Sequence, residues 1–436
     1  MVALSSVERW EAIVPRLEAA RQSHLLCFWP TLGEPSRQLL LADLEEIALE
    51  SLPNLVERCV LGDEASSLPP TSELEPVVPE RIADAGPAAH EAGEQELSRG
   101  AVAAVTVAGG QATRLGFDGP KGIFPVGPVT GRGSFHLFAE QLLATGKRYG
   151  RAVPWYVMTS ASNHCATVAW FEAHGLLGLA RDQVRFFVQG RMPCFGLDGR
   201  ILLAERGRVA FAPDGHGGMF GALKRSGMLR DMSERGVRHL SCFQVDNPLV
   251  RCLDPRFIGM HALAGAELSG KSLAKAHDRE GLGTFCRHRG RLRVVEYSEL
   301  PESMATAREA DGRRRYDAGS ISVYVIERGF AERMADAGLP WHRARKRVAH
   351  VDCATGRAVE PSEPNAVKLE RFLFDAAPQA RVWLVVETDR DEEFAPVKNL
   401  TGADSVQTSR AAQVRRACRG LREAGVEVPV GEDGEP

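Results

Sequence analysis

Short apolar runs alternate along this chain with stretches whose apolar residues recur every three to four positions. The runs are Ala101–Ala108, Val153–Met158, Val184–Val188, His239–Val245 and Val382–Val386. Ala101–Ala108 is apolar at nearly every position rather than at every second one, as expected of a strand covered on both faces. Between the runs, Phe135, Phe138 and Leu142 fall at helical spacing. The alternation predicts an α/β fold with a Rossmann-like, mostly parallel central sheet.

The flanks read differently. Ser5-x-x-Glu8 has the form of a capping box, and Trp10, Val14 and Leu17 follow at helical spacing, interrupted by Pro15. Leu39–Leu52 is expected to be helical too. From Pro69 to about Ser98 the chain is rich in Pro, Glu and Ala and poor in large apolar residues, as in an extended or loosely helical connector. The predicted organisation is a helical N-terminal region and connector over 1–98, an α/β domain over 99–402, and a short basic amphipathic helix with a polar tail over 403–436. No internal repeat is visible.

Composition narrows the class without changing this picture. The 436 residues are 44% hydrophobic and 25% charged, with a formal charge of −3, as in a soluble globular enzyme. That balance argues against a general nucleic-acid or membrane surface. Nine cysteines are scattered without a C-x-x-C pair, so neither a zinc site nor a disulfide framework is expected. Free thiols in a reducing compartment follow. The N-terminus lacks a basic segment leading into an apolar core, and no run is long enough to span a bilayer. A cytoplasmic location is expected.

Candidate chemistry sits at the ends of the apolar runs, where open α/β sheets bind ligands. "VAGGQATRLGFDGPKGIFPVG" (107–127) lies between a buried strand and a helix. Such a loop offers backbone N–H groups and a helix dipole to an anion. It is neither a Walker loop, since no Ser or Thr follows Lys121, nor a G-x-G-x-x-G fingerprint. The competing reading is a tight turn, with Arg114 and Lys121 simply solvated. In "FQVDNPLV", Asp246 follows a strand and is placed to hold Mg²⁺, or else opens an Asx turn before Pro248. "VQGRMP" ends a strand at Gln189, and "APDGHGG" is a flexible loop that either turns or lets backbone approach a flat base. "VVEYSEL" and "YDAGSIS" set Glu296 and Asp317 beside further strand-like runs. "PNAVKLERFLFD" places Lys368 at the start of an expected helix.

Taken in order, "AGGQATRLGFDGPKG", "PWYVMTS", "FFVQG", "APDGHGG", "VDNPLV", "DPRFIG", "VVEYSE", "AGSI", "PNAVKLERFLFD" and "EFAPVKN" span about 107–399. The chain resembles the eukaryotic-type UDP-N-acetylhexosamine pyrophosphorylases, within the wider UTP–sugar-1-phosphate uridylyltransferase family. The resemblance implies a nucleotidyltransferase fold over 99–402. It implies UTP and a sugar-1-phosphate as substrates, UDP-sugar and pyrophosphate as products, and Mg²⁺ as cofactor. Carried over by position, Ala108, Gly109 and Gly110 meet UTP through the backbone. Arg114, Lys121 and Lys368 neutralise phosphates and are the catalytic cations. Gln189 and Gly215 match the uracil contacts, and Asp246 matches the metal and nucleotide position. Glu296, its neighbour Tyr297 and Asp317 fall on the sugar side, and Lys398 matches a position that holds phosphate.

Two departures border the sugar. Gly215-His216-Gly217-Gly218 stands where N-acetylhexosamine enzymes usually read G-N-G-G, and Asp317-Ala318-Gly319-Ser320 where they read N-A-G-N. His216 pulls toward glucose-1-phosphate, whose enzymes often carry G-H-G. An ionised Asp317 only accepts hydrogen bonds, which suits sugar hydroxyls. The whole motif set favours N-acetylglucosamine-1-phosphate. The alternatives are a glucose-1-phosphate or broad-specificity uridylyltransferase, or a catalytically weak UDP-sugar-binding homologue. The family's C-terminal β-rich domain is expected to be missing, because the chain ends soon after Lys398.

Overall fold

A computed structural model of the chain describes residues 6–62, 69–429 and 431. It forms two compact units: Leu68–Gln189 with Met219–Gly338 and Phe374–Pro436, and a smaller one of Met1–Ser67 with Gly190–Gly218 and Leu339–Leu373. The sequence-based boundaries at 98 and 402 do not coincide with the edges of these units, because segments far apart in sequence share one core.

In the larger unit the main sheet is built from β1 (Glu80–Arg81), β2 (Val102–Val107), β3 (Trp155–Thr159), β4 (Val184–Val188), β5 (His239–Gln244), β6 (Leu268–Ala274), β7 (Ala318–Glu327) and β8 (Trp383–Glu387). Their spatial order is β1-β8-β6-β7-β5-β2-β3-β4. Neighbours run parallel except around β7, which is antiparallel to both β5 and β6. Three further strands, Leu74–Pro76, Thr284–His288 and Arg291–Val295, join the sheet, with Thr284 pairing to Gly319 of β7. The expected apolar runs thus form strands. Val102 to Val105 of β2 and Trp155 to Met158 of β3 are buried, because helices cover both sheet faces.

The stretch expected to be a loose connector is firmly built. Its helix Pro87–Ser98 packs on the helix Pro255–Ala264. A methyl group on Gly93 would lie 1.8 Å from the Pro255 carbonyl oxygen, and one on Gly259 would lie 1.6 Å from that of Ala89. The contact is made by backbones approaching over small residues, so counting large apolar side chains misses it. The C-terminal helix, Val406–Glu423, forms as expected and starts at a Ser405–Thr408 capping box. Among the described residues no helix is long and apolar enough to cross a membrane.

Two buried polar clusters lock the larger unit. Lys271 on β6 is fully buried, and its Nζ donates to Asp254 Oδ2 at 2.8 Å and to Glu393 Oε2 at 2.6 Å. Asp254 also caps the helix Pro255–Ala264 by accepting from the Arg256 N–H. The second cluster is His261 and His239, with ring centroids 5.1 Å apart and His239 Nε2 3.5 Å from Glu96 Oε2. The Ser269 hydroxyl lies 2.8 Å from His261 Nδ1.

Burial, reinforced by His239, pushes the His261 imidazole down to about 3. The native state therefore resists a proton that the unfolded chain takes up near pH 6.5. Stability is complete above that pH and is lost as pH falls towards the folded value. His261→Asn, which keeps a partner for Ser269, should remove about 2 kcal/mol of the loss between pH 6.5 and 5. Urea midpoints at the two pH values, in parent and variant, check this; equal losses would reject it.

The smaller unit is helical at its N-terminal end. The helix Ser6–Ala19 runs through Pro15, while Ser5, the expected cap, lies outside the described residues. Where one helix was expected over Leu39–Leu52, the structure has Glu34–Glu45, a turn, and Leu52–Leu55. Ile13, Leu17, Leu40, Leu41 and Leu44 share a core with Phe195, Ile201, Val367 and Leu369. Buried Asp43 ties this segment to the 190–218 excursion, accepting from Arg208 Nε at 2.7 Å and from the Val209 N–H at 3.1 Å.

Candidate active site

Four neighbouring parallel strands, in the order β5-β2-β3-β4, end level with one another. Gln244 pairs with Val107, Val107 with Met158, and Thr159 with Val188. The residues that follow therefore emerge side by side: Ala108–Gly110 after β2, Ser160–Asn163 after β3, Gln189 after β4 and Asp246 after β5. This register, invisible in a linear reading, brings together most of the expected nucleotide residues.

The loop after β2 is held on both sides. The Gly110 carbonyl accepts from the Lys121 N–H at 3.1 Å, and the Ala112 N–H donates to Gly119 O at 3.0 Å. Below it, Asn163 is fully buried, and its Nδ2 donates to Ala108 O at 2.9 Å and Gly110 O at 3.3 Å. Sequence reasoning missed Asn163, since an Asn ahead of a helix reads as an ordinary cap. A methyl group on Gly109 would sit 2.8 Å from Gln189 Oε1, so the Gln189 amide borders the loop.

Lys121 Nζ lies 3.5 Å from Asp246 Oδ2, and both side chains are about one-fifth exposed. Arg114, on the turn Thr113–Leu115, is exposed. Next to Asp246, Asn247 is buried and brackets the 393–397 segment. It donates to Glu393 O at 2.6 Å and accepts from the Ala395 N–H at 3.1 Å. The Val397 N–H donates to Asp246 O, which leads the chain on to Lys398, whose Nζ pairs with Asp404 at 3.1 Å.

Glu296 and Asp317 meet through a shared neighbour. Thr284 pairs with Val295 and with Gly319, so the ends of Arg291–Val295 and the start of β7 lie together. Asp317 Oδ1 accepts from the Lys275 N–H at 3.0 Å, and the Lys275 ammonium donates to the Thr284 hydroxyl at 2.5 Å. Lys275 is buried, and burial pulls its ammonium below the ordinary lysine value despite nearby acidic groups. No local signal in the sequence marks it. Tyr297 is exposed.

Gly215, His216 and Lys368 belong to the smaller unit. Gly215 has φ +82°, and a methyl group there would lie 2.2 Å from Arg371 O. The loop is stitched to that backbone by Arg371 N–H to Asp214 O and Gly217 N–H to Arg371 O, both 2.8 Å. His216 stacks on Phe372, and its Nδ1 accepts from the Leu373 N–H at 3.1 Å. Burial, with His342 adding, lowers its pKa to about 4. A neutral ring that accepts at Nδ1 carries its proton on Nε2. Lys368 corrects an expectation: it lies in a strand, Ala366–Glu370, opposite Ala344, and not at a helix start. Buried Val367 and Leu369 flank half-buried Lys368, a period-two pattern that pairing on both edges selects over the helical one.

The family model for UTP–glucose-1-phosphate uridylyltransferase matches residues 52–413. The human UDP-N-acetylhexosamine pyrophosphorylase-like protein 1 is 37% identical over 94% of this chain and 85% of its own length. The Saccharomyces cerevisiae UDP-N-acetylglucosamine pyrophosphorylase is 33% identical over 94% of this chain and 91% of its own. Among solved structures, the Trypanosoma brucei uridine diphosphate N-acetylglucosamine pyrophosphorylase superposes with a TM-score of 0.82. It is 26% identical, over 98% of this chain and 89% of that one.

Proposed function

The chain belongs to the UTP–glucose-1-phosphate uridylyltransferase family, and from that premise we propose that it joins UTP and a sugar-1-phosphate into a UDP-sugar, releasing pyrophosphate, with N-acetylglucosamine-1-phosphate the favoured acceptor. The observation that carries this reading is the convergence of Ala108–Gly110, Lys121, Gln189 and Asp246 at the level ends of β2, β4 and β5. In the reaction a phosphate oxygen of the sugar-1-phosphate bonds to the α-phosphorus of UTP. The bond from that phosphorus to the bridging oxygen breaks, and pyrophosphate leaves with the electron pair. No protein nucleophile is needed; the task is to bring two anions together and hold the charge that develops between them.

Backbone N–H groups of the 108–110 loop and the charges of Arg114 and Lys121 serve that task. Lys398 joins them by leaving Asp404, at little cost because a solvated pair of this kind holds about 0–1 kcal/mol. The Gln189 amide reads the uracil edge. Glu296, Tyr297 and Asp317 serve the sugar. Asp246 suits Mg²⁺, which takes one or two carboxylates and completes its shell with phosphate oxygens and water. Among the described residues no group of three His, Cys, Asp or Glu could hold an ion unaided, so its other ligands would come from the nucleotide. Bound there, the ion supplies positive charge to the phosphates.

Pyrophosphate release, measured with UTP or CTP against N-acetylglucosamine-1-phosphate or glucose-1-phosphate, tests the reading. UTP should exceed CTP in kcat/KM by about 10²-fold or more, since CTP leaves the partners of O4 and N3–H unpaired. His216→Asn with Asp317→Asn should raise the preference for the N-acetylated acceptor. Equal use of both nucleotides would refute the uracil assignment, turnover of glucose-1-phosphate alone would replace the acceptor, and no release with any pair would refute the activity.

A further inference from the structure

We propose that Asn163 is a positioning residue that aims the peptide N–H groups of the 108–111 loop at the nucleotide phosphates. The inference rests on the nucleotide reading of that loop. Asn163 occupies the N-cap of the helix His164–Ala173, yet its side chain makes no capping hydrogen bond. Asn is favoured at that position because its oxygen satisfies a first-turn N–H, worth about 1 kcal/mol. Here the amide is turned the other way and fully used. Its Oδ1 accepts from the Ser160 N–H at 2.8 Å, which fixes the side chain in the β3 turn. Its Nδ2 reaches across to the carbonyls of Ala108 and Gly110, 2.9 and 3.3 Å away.

Those two carbonyls decide where the loop points its donors. In a trans peptide the C=O and the N–H of one unit face opposite ways. Drawing Ala108 O toward Asn163 turns the Gly109 N–H away from it, and drawing Gly110 O down does the same for the Gln111 N–H. The Gly110 carbonyl is further pinned by the Lys121 N–H, so the hold on the loop also sets the start of the Lys121 segment. Asn163 thus presets two donors on the loop face opposite to itself. Donors aimed in advance need no rearrangement when charge arrives.

Asn163→Asp is nearly isosteric and keeps the acceptor for Ser160, but it replaces both donated hydrogen bonds by oxygen facing oxygen. In steady-state assays KM for UTP should rise about 10-fold or more, with KM for the sugar-1-phosphate within twofold of the parent. Melting temperature without nucleotide should fall, because a buried carboxylate then faces two carbonyl oxygens; the split between the two KM values and a smaller rise on adding UTP carry the test. Asn163→Ala, which adds no charge, should show the same split more weakly. A parent that neither binds nor turns over UTP would overturn the nucleotide reading and this inference with it. A competent parent and variants with unchanged KM for UTP would overturn the positioning role alone. Equal rises in both KM values with a large fall in melting temperature, or failure of both variants to fold, would assign Asn163 to stability and overturn the proposal.

Discussion

Asp246→Ala is expected to cut pyrophosphate release by about 10²–10³-fold or more, the range seen when one preorganised charge-stabilising group is removed from an active site. Stability should barely change. The side chain is partly solvated and its described partner, Lys121, lies 3.5 Å away, a pair that contributes about 0–1 kcal/mol. The structural duty of the residue falls on its backbone carbonyl, which accepts from Val397 and survives the substitution. A kcat within a few-fold of the parent at saturating Mg²⁺ and both substrates would remove Asp246 from the mechanism. The same rate in excess chelator would remove the metal.

Lys271→Met should have the opposite profile, destabilising the protein by about 3–5 kcal/mol, because it leaves buried carboxylates without their cation. Burial alone would lower the Lys271 ammonium, but Asp254 and Glu393 outweigh it and hold its pKa above the ordinary value. Burial raises Glu393, with Asp254 adding, and Lys271 compensates only in part. For Asp254 the cation prevails over burial and keeps the pKa low. The Lys271 contribution is therefore complete below the ordinary lysine pKa and lost as pH rises through the folded value. That of Asp254 is complete above the ordinary carboxylate pKa and lost as pH falls through the folded one. Urea unfolding at neutral pH measures the effect. Adding Glu393→Gln to Lys271→Met should recover part of it, since one of the two stranded charges is then gone. A loss under 1 kcal/mol in the single variant would show that the cluster is not the lock its geometry describes.

The contrast between these two substitutions bears on how motifs are read. Asp246 lies in "VDNPLV", while Asp254 and Glu393 lie in "DPRFIG" and "EFAPVKN", and nothing in the strings separates a solvated carboxylate from a buried one. Burial makes the distinction: Asp246 opens on the strand ends, whereas Asp254 and Glu393 are closed around Lys271. Asn247 shows the same division within a single dipeptide, since it is buried and brackets the 393–397 backbone beside the partly exposed Asp246 carboxylate. Gly215 has two readings at once. Its positive φ and the nearness of Arg371 demand glycine whatever the loop binds.

Much was nonetheless legible from residue order alone. The central strands could be read because both sheet faces are covered, and strands buried on both sides become continuous apolar runs at whatever place they fall in the chain. The loop after β2 was legible as a candidate anion site, since glycines and cations lie between a buried strand and a helix, with a tight turn carrying solvated cations as the competing reading. The reading failed where the deciding contact was remote. Lys368 follows a local pattern compatible with a helix, and only pairing with 342–346 and 195–196 makes it a strand. The helix Pro87–Ser98 looked loose because its partner, with Gly259, lies far along the chain. Asn163 carried no signal in the sequence, because the Ala108 and Gly110 carbonyls it holds belong to the loop after another strand. Local sequence determined the strands and the α/β class, since periodicity and backbone preference act over a few residues. Only the tertiary structure decided which strand ends stand level, which carboxylates are buried and what Asn163 holds, because each depends on a partner that chain folding brings from far away.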